Sequence, residues 1–468
     1  MRLPQPPLQI VRLMNAFEQK GYVCLVVGGA VRDLMLRREP KDYDLATNAT
    51  PQQVEEVIGF GSGGSFQSSG YRILKGPQAD RALEGLTSLI LCPDGEVVEI
   101  TTFRADLGYD EGDRAKVVAV PAKTFEQDAA RRDLTINAMG MTKDGEVIDP
   151  TNNGVKDLKA GIIRTVGDAN ERFAEDPLRI IRAVRFAVKY DYRLLKSVEK
   201  AIKRNLLLLD DLSQKRKRDE IEQVLYYPDG FKKLMELGIL PQIMPEMRNL
   251  RSYRHNPEYH PEGDVYDHYI AAFDCHTSQP HRTEMDGWAI LFHDIGKPAS
   301  AELKEGGDYH SFYQHDRIGA DIILNKYNNQ TGPFEFSKKE LNGLAWTTRN
   351  HLSSFWDMKK PVKVAKMANN EYYPQLINVA YADTCMRPKG ERFNERRQFI
   401  TDTKNEVNAR KESVGSRPQG FAVRVFQELD IPAGRERGEI MQKIEELVAS
   451  GAAQDYEAAL QQLKASRN

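Results

Sequence analysis

The stretch Val23-Cys24-Leu25-Val26-Val27-Gly28-Gly29-Ala30-Val31-Arg32-Asp33, followed by Asp42-Tyr43-Asp44-Leu45, decides how the rest of the chain is read. An apolar run rich in β-branched residues is a buried strand. Two glycines directly after it let the backbone approach a ligand that a Cβ would hold off. Arg32 then falls on the helix that follows. Asp42 and Asp44 alternate along a second extended segment, so both carboxylates point to one face. Two carboxylates on one face, close to exposed amides and an arginine, form a site for Mg²⁺ and a triphosphate. A bare Gly-Gly or Asp-x-Asp is common by chance; the order and spacing here carry the signal.

Outward from this stretch, residues 8–20 read as a short amphipathic helix. Thr50 is a good N-cap and Pro51 a good first helical residue, so another helix starts there. Residues 59–64 form a glycine- and serine-rich loop. Strands at Ser88–Leu91 and Val97–Ile100 are joined by the turn Pro93-Asp94-Gly95. Glu99 on the second strand is a third carboxylate, able to take a proton from an attacking hydroxyl or complete the acidic cluster. Residues 103–116, charged and with glycines at 108 and 112, read as a mobile loop beside the site. After a helix at Phe125–Ala130, Arg131-Arg132-Asp133 with Asn137 can hold phosphate and ribose, arginine suiting phosphate through its fork. Asp149 to Gly154 is a turn that closes the first domain.

Residues 171–190 read as one helix capped by Asp176 with Pro177 in its first turn. Arg179, Arg182 and Arg185 recur every three residues on one face. Asp176 and Arg179 can present hydrogen-bonding edges to a nucleobase. Residues 189–218 hold ten Lys or Arg against four Asp or Glu, densest at Lys215-Arg216-Lys217-Arg218. Such a basic helical neck suits an RNA phosphate backbone. Arg248 to His260 reads as a linker.

Composition bounds the class. The 468 residues suffice for about three domains. Net charge is −2, so any nucleic-acid surface is local rather than global. No apolar run approaches the ~20 residues of a membrane span. The N-terminus lacks an apolar signal core, which predicts a cytoplasmic protein. Cys24, Cys92, Cys275 and Cys385 lack CxxC spacing and read as reduced thiols.

All nine histidines lie between residues 255 and 351. Within that block His293-Asp294 ends an apolar helix. His268, His293, Asp294 and Asp383 resemble the metal-ligand pattern of the HD phosphohydrolases, a helical fold, with His315 and His351 where a dinuclear version takes extra ligands. Imidazole with carboxylate suits a transition metal such as Ni, Mn, Zn or Fe. His255, His260, His276 and His281 read as ordinary surface or core histidines.

The opening stretch resembles motif A of the DNA polymerase beta-like nucleotidyltransferases, and nearly the whole chain is similar to the class II CCA-adding tRNA nucleotidyltransferase and poly(A) polymerase family with an appended HD domain. The resemblance implies an α/β head, a small mixed sheet with flanking helices, over residues 1–165. It implies a mostly helical remainder: a neck and body at 166–250, an HD domain at 251–400 and a tail at 401–468. It implies Mg²⁺ on Asp42 and Asp44, phosphates and sugar held by Gly28, Gly29, Arg32, Arg132, Asp133 and Asn137, and base reading by Asp176 and Arg179 with Arg182 and Arg185 in support. The implied activity is addition of C, C and A from CTP and ATP to the tRNA 3′ end, with phosphatase or 2′,3′-cyclic phosphodiesterase activity in the HD domain. Arg104, Asp106, Tyr109 and Asp110 stand in the segment that separates such enzymes from CC-only relatives. Residues 61–85, with Arg72, Lys75 and Arg81, depart from the family pattern and leave the strand pairing around Glu99 open. Poly(A) synthesis, A-only addition, or an HD phosphohydrolase with a nucleotide-binding head are the competing readings; monomer and homodimer both stay open.

Overall fold

Strand β1 (Cys24–Val27), buried at all four residues, pairs antiparallel with β2 (Leu45–Thr47) on one side and β8 (Gly140–Met141) on the other. It lies inside a seven-stranded sheet of order β3-β4-β5-β2-β1-β8-β9, where β3 is Arg72–Ile73, β4 Thr87–Leu91, β5 Val97–Thr102 and β9 Val147–Ile148. The computed structural model describes the chain apart from residues 60–69, 75–85, 111–112, 280–281, 329, 353–360, 385–392, 415–416 and 467–468, and apart from the side chains of 106–119, 362, 393, 396 and 411. Lys75, Arg81, His281, Cys385 and most of the expected 59–64 loop therefore lie outside the described residues. The chain divides into two units, Met1–Pro245 and Glu246–Asn468.

In the first unit, helix α1 (Leu8–Gln19) buries Ile10, Leu13, Met14 and Phe17, the stripe expected of an amphipathic helix. Helix α2 (Gly29–Met35) follows β1 directly, and α3 (Pro51–Ile58) opens with a capping box between Thr50 and Gln53. The departure at residues 61–85 resolves at its described edge, where Arg72 and Ile73 pair antiparallel with β4. Parallel pairing of β2 with β5 sets Leu45 opposite Ile100, which makes Asp44 and Glu99 lateral neighbours.

Two local expectations change. Where a loop is expected over 103–116, the described residues are mostly paired strands: β6 (Arg104–Asp110) pairs antiparallel with β7 (Asp113–Pro121), with register shifts near Tyr109. The strand-forming run Val117-Val118-Ala119-Val120 gives the charged arm a partner, and backbone pairing is indifferent to that charge. Residues 171–190 are two helices, α6 (Ala169–Glu175) and α7 (Leu178–Tyr190). Pro177 disfavours helical backbone at Asp176, which is extended at φ −143°. Between these regions lie α4 (Phe125–Ala130) and α5 (Gly154–Ala160), and after them α8 (Lys196–Arg204) and α9 (Gln214–Leu225).

The second unit is mainly helical. Helices Val265–Thr277, Glu284–His293, His315–Lys326, Lys338–Asn350 and Tyr373–Thr384 surround buried aromatics including Trp288, Phe292, Tyr327, Phe334 and Phe336. Helices Phe421–Glu428, Arg435–Ala449 and Tyr456–Ala465 share a separate apolar cluster. The expected linker at 248–260 is folded: Arg254 bridges Asp264, and the His255 amide donates to the Gly263 carbonyl. Cys24 and Cys92 are free and buried, but Cys275 is disulfide-bonded, against the expectation of four thiols. Among the described residues no helix is long and apolar enough to cross a membrane.

Candidate functional site

In the first unit, a pocket of about 470 Å³ opens where β1 turns into α2. It gathers ten of the predicted residues: Gly28, Gly29, Arg32, Asp44, Arg132, Asp133, Asn137, Asp176, Arg179 and Arg182. Arg104, Arg131 and Phe186 also line it, whereas Asp42, Glu99 and Arg185 do not. Gly28 is required on two counts. Its φ of +70° favours glycine, and a Cβ there would stand 3.2 Å from Arg132 Nη1.

Arg32 is held on all sides. Its Nη1 donates to Asn137 Oδ1 at 2.6 Å, and its Nε and Nη2 donate to the Asp33 carboxylate at 3.0 and 3.1 Å. The guanidinium lies 5.3 Å from the Phe186 ring centre and 5.0 Å from that of Tyr190. Tyr190 closes the loop by donating its hydroxyl to Asp33 Oδ1 at 3.2 Å. Cation–π contact and a bidentate carboxylate together fix the plane of this arginine before any ligand arrives. The two rings belong to α7, so the helix carrying Arg179, one of the two base-reading candidates, also orients the phosphate candidate on α2.

Asp133 accepts from Arg182 Nε at 2.8 Å and from the Leu134 amide at 2.7 Å. Burial opposes its charge, but Arg182 and these hydrogen bonds hold the carboxyl below the usual range. Arg185 turns to Gln223, at 2.8 Å, and to buried Glu220, which also faces Arg182. Its support for the pocket is therefore indirect.

The two base-reading candidates already have protein partners. Both oxygens of Asp176 accept from Arg216 Nη2 at 3.0 Å, and Oδ1 accepts from the Leu178 amide. Arg179 donates to Glu175 at 2.7 Å and to the Arg131 carbonyl at 2.8 Å. Sequence reading missed Arg216 as a site residue because it stands in the run 215–218, which looked like a uniform phosphate-binding surface. Instead Lys215 pairs with Asp219, Arg216 turns to Asp176, Lys217 is buried and Arg218 pairs with Glu222. Phe186 and Tyr190 were missed too, since an aromatic on an apolar helix face carries no signal of its own.

Asp42, Asp44 and Glu99 converge beside the pocket. Asp44 keeps an exposed edge, but protein around its carboxyl strips away water. That desolvation, followed by the charges of Asp42 and Glu99, raises its pKa to about 6 against the opposing Arg132. Crowded carboxylates of this kind fit a divalent cation. The sign follows from linkage: an acid raised above its unfolded value of ~3.9 gives stability below that value and loses it as pH rises through 6. Mg²⁺ or Mn²⁺ should therefore raise the melting temperature at pH 7.5, and the response should fade below pH 6 as protons replace the ion. Thermal melts across pH 5–8 with and without the ion measure this; a response unchanged at pH 5 would contradict the assignment.

The second unit carries a histidine–aspartate centre. His268 Nε2 lies 3.2 Å from Asp294 Oδ2 and 3.0 Å from Asp383 Oδ1, while His293 Nε2 lies 3.2 and 3.5 Å from the same two atoms. Asp294 Oδ1 faces His315 Nε2 at 3.2 Å and His351 Nε2 at 3.5 Å. All six residues are buried. Two ligand sets thus share Asp294, one with His268, His293 and Asp383, the other with His315 and His351.

The donor set fits transition-metal ions. The Nδ1 atoms of His293, His315 and His351 lie within hydrogen-bonding reach of the Ile290, Phe312 and Thr348 carbonyls, leaving each Nε2 for a ligand bond. His268 Nδ1 lies 2.8 Å from Glu262. Although desolvation works against its charge, Asp294 and Asp383 raise His293 to about 9, so an arriving ion displaces a proton. His255 and His260, expected as ordinary surface or core histidines, pack beside this centre, with His255 buried. Their rings stack at 4.1 Å, His260 contacts Glu262, and Lys297 bridges His255, at 2.9 Å, and Asp294, at 2.5 Å. These contacts cross up to 42 residues, beyond any local pattern.

Residues 24–164 match the family model for the poly A polymerase head domain, and residues 191–250 match that for the probable RNA and SrmB-binding site of polymerase A. A CCA-adding enzyme of Bacillus licheniformis is 32% identical over 291 residues, covering 60% of this chain and 68% of that protein. One from Limosilactobacillus reuteri is 35% identical over 243 residues, covering 51% of this chain and 55% of that protein. In fold, the chain is similar to the Bacillus stearothermophilus CCA-adding enzyme solved in complex with CTP, with a TM-score of 0.68 at 23% identity over 99% of both chains. With a poly A polymerase head around the acidic, arginine-lined pocket and a relative matched over two thirds of its length, the chain belongs to the CCA-adding enzyme family of nucleotidyltransferases.

Proposed function

We propose that the first unit adds C, C and A to the 3′ end of tRNA from CTP and ATP, without a nucleic-acid template. The observation that carries this is the meeting, in one pocket, of a carboxylate edge, an arginine wall and the Asp176–Arg179 pair. Asp42 and Asp44 would hold Mg²⁺, which when bound lowers the pKa of an attacking hydroxyl and offsets phosphate charge. Glu99, a neighbour of Asp44, would accept the proton. Gly28 and Gly29 admit the phosphates, Arg32 and Arg132 grip them, and Asp133 with Asn137 orients the sugar. Asp176 and Arg179 read the base edge by exchanging their present partners for its donors and acceptors. Arg182 and Arg185 keep those groups in place. The RNA 3′-hydroxyl attacks the α-phosphorus in line; a new O–P bond forms as the bond to pyrophosphate breaks.

The functional division follows the chain: chemistry in the head at 1–165, selection and RNA contact at 166–250, an HD phosphohydrolase at 251–400, and a helical tail at 401–468. The shared Asp294 supports a metal-dependent phosphatase or 2′,3′-cyclic phosphodiesterase activity on RNA ends, with Ni, Mn, Zn or Fe as the candidate ion. Such tRNA maturation and repair would be cytoplasmic work. The experiment is incorporation into tRNA lacking its CCA end, with Mg²⁺ and both nucleotides. Three additions and a stop are expected. A long A tail would indicate poly(A) synthesis, and growth only on tRNA ending in CC would indicate A-only addition. Either of these outcomes would overturn the proposal.

A further inference from the structure

Two arginines of the pocket wall, Arg131 and Arg132, and the backbone of a third, Arg104, meet at one buried carboxylate that does not itself line the pocket. Asp128 lies on α4 and is 1% exposed. Its Oδ1 accepts from Arg131 Nε at 3.0 Å and Nη2 at 2.7 Å. Its Oδ2 accepts from Arg132 Nε at 3.1 Å and Nη2 at 2.9 Å. Each oxygen therefore holds one guanidinium by two N–H groups, and Arg132 Nη1 also donates to the Asn137 carbonyl at 3.3 Å; both arginines line the pocket. The Arg104 amide, at the foot of strand β6, also reaches Oδ1 at 3.4 Å. The next residue back, Gln127, accepts from the Lys123 and Thr124 amides, which caps α4 just after β7 ends at Pro121. One short helix thus grips two arginines and the first residue of β6.

We propose that Asp128 is a positioning residue for nucleotide binding: it orients Arg131 and Arg132 toward the nucleotide's phosphates and ties the hairpin to the same wall. This rests on the nucleotide-binding reading of the pocket and adds how the wall is preset. Arginine loses much side-chain freedom when it closes on a phosphate, and a fork already locked in plane avoids that loss on binding. The single buried negative charge also limits repulsion among three neighbouring cations. Replacement by asparagine leaves one oxygen and turns an NH₂ toward a guanidinium, so one fork is repelled while volume is kept.

The test compares wild type, Asp128→Asn and Asp128→Glu as full-length enzymes. The readouts are KM and kcat for CTP and ATP, and the Kd of pyrophosphate. Asp128→Asn should raise KM for both nucleotides about tenfold or more, with pyrophosphate Kd rising in parallel, and Asp128→Glu should recover part of the loss. A purely structural role would lower the melting temperature and leave KM and Kd of the folded enzyme unchanged, which would overturn the proposal. Should Asp128→Asn not fold, Arg131→Lys keeps the charge and removes only the fork. The same parallel rise is expected, and wild-type values would overturn the proposal. Wild type that binds neither nucleotide nor pyrophosphate would instead overturn the pocket reading beneath it.

Discussion

Asp44→Ala is expected to reduce nucleotide addition by on the order of a thousandfold or more, with no loss of thermal stability. The two halves of that outcome share one cause. Asp44 sits where desolvation and the charges of Asp42 and Glu99 raise its pKa to about 6, so its ionised form costs the folded protein free energy at neutral pH. Removing it relieves repulsion among the carboxylates while deleting the group best placed to hold a cation against the phosphates. Single-turnover incorporation alongside a thermal melt checks both halves. An active variant would remove Asp44 from the machinery. An inactive variant that melts many degrees lower would mean that the carboxylate was structural.

Asp294→Asn is expected to empty the second unit's metal centre and leave nucleotide addition intact. Asp294 contacts both ligand sets, so its loss weakens each at once, and metal affinity should fall at least a hundredfold. The buried Lys297 and His293 lose their principal counter-charge, which costs about 3–5 kcal/mol in this unit. Metal content after dialysis and hydrolysis of a 2′,3′-cyclic phosphate substrate measure the first effect; incorporation on tRNA measures the second. Retained metal would refute the shared ligand. Loss of both activities in either this variant or Asp44→Ala would refute two independent sites.

What local pattern can announce, it announced. The apolar run before Gly28 became β1 because β-branched residues commit to a strand within a few positions, and Gly28 at φ +70° sits where its lack of a Cβ is needed. The Thr50–Gln53 cap and the stripe on α1 follow from spacing of the same short range, whereas Asp44 and Glu99 became lateral neighbours only through the parallel pairing of β2 with β5. Even the break at Asp176-Pro177 has a local cause, although periodicity alone ran the helix through it.

Contacts across long separations were decided only by the tertiary structure. Arg216 meets Asp176 across 40 residues, and Tyr190 meets Asp33 across 157. His255 and His260 lie beside the histidine–aspartate centre because segment 248–263 folds back on itself. A charged or aromatic side chain has the same local signature whether it faces water or a partner; burial of the pair distinguishes them, and burial is a property of the fold. The strand–turn–helix, the acidic pair and most of the residues that gather at each centre were thus legible in local pattern. Which arginine faces which carboxylate was settled by packing, because only packing brings distant charges close enough to require one another.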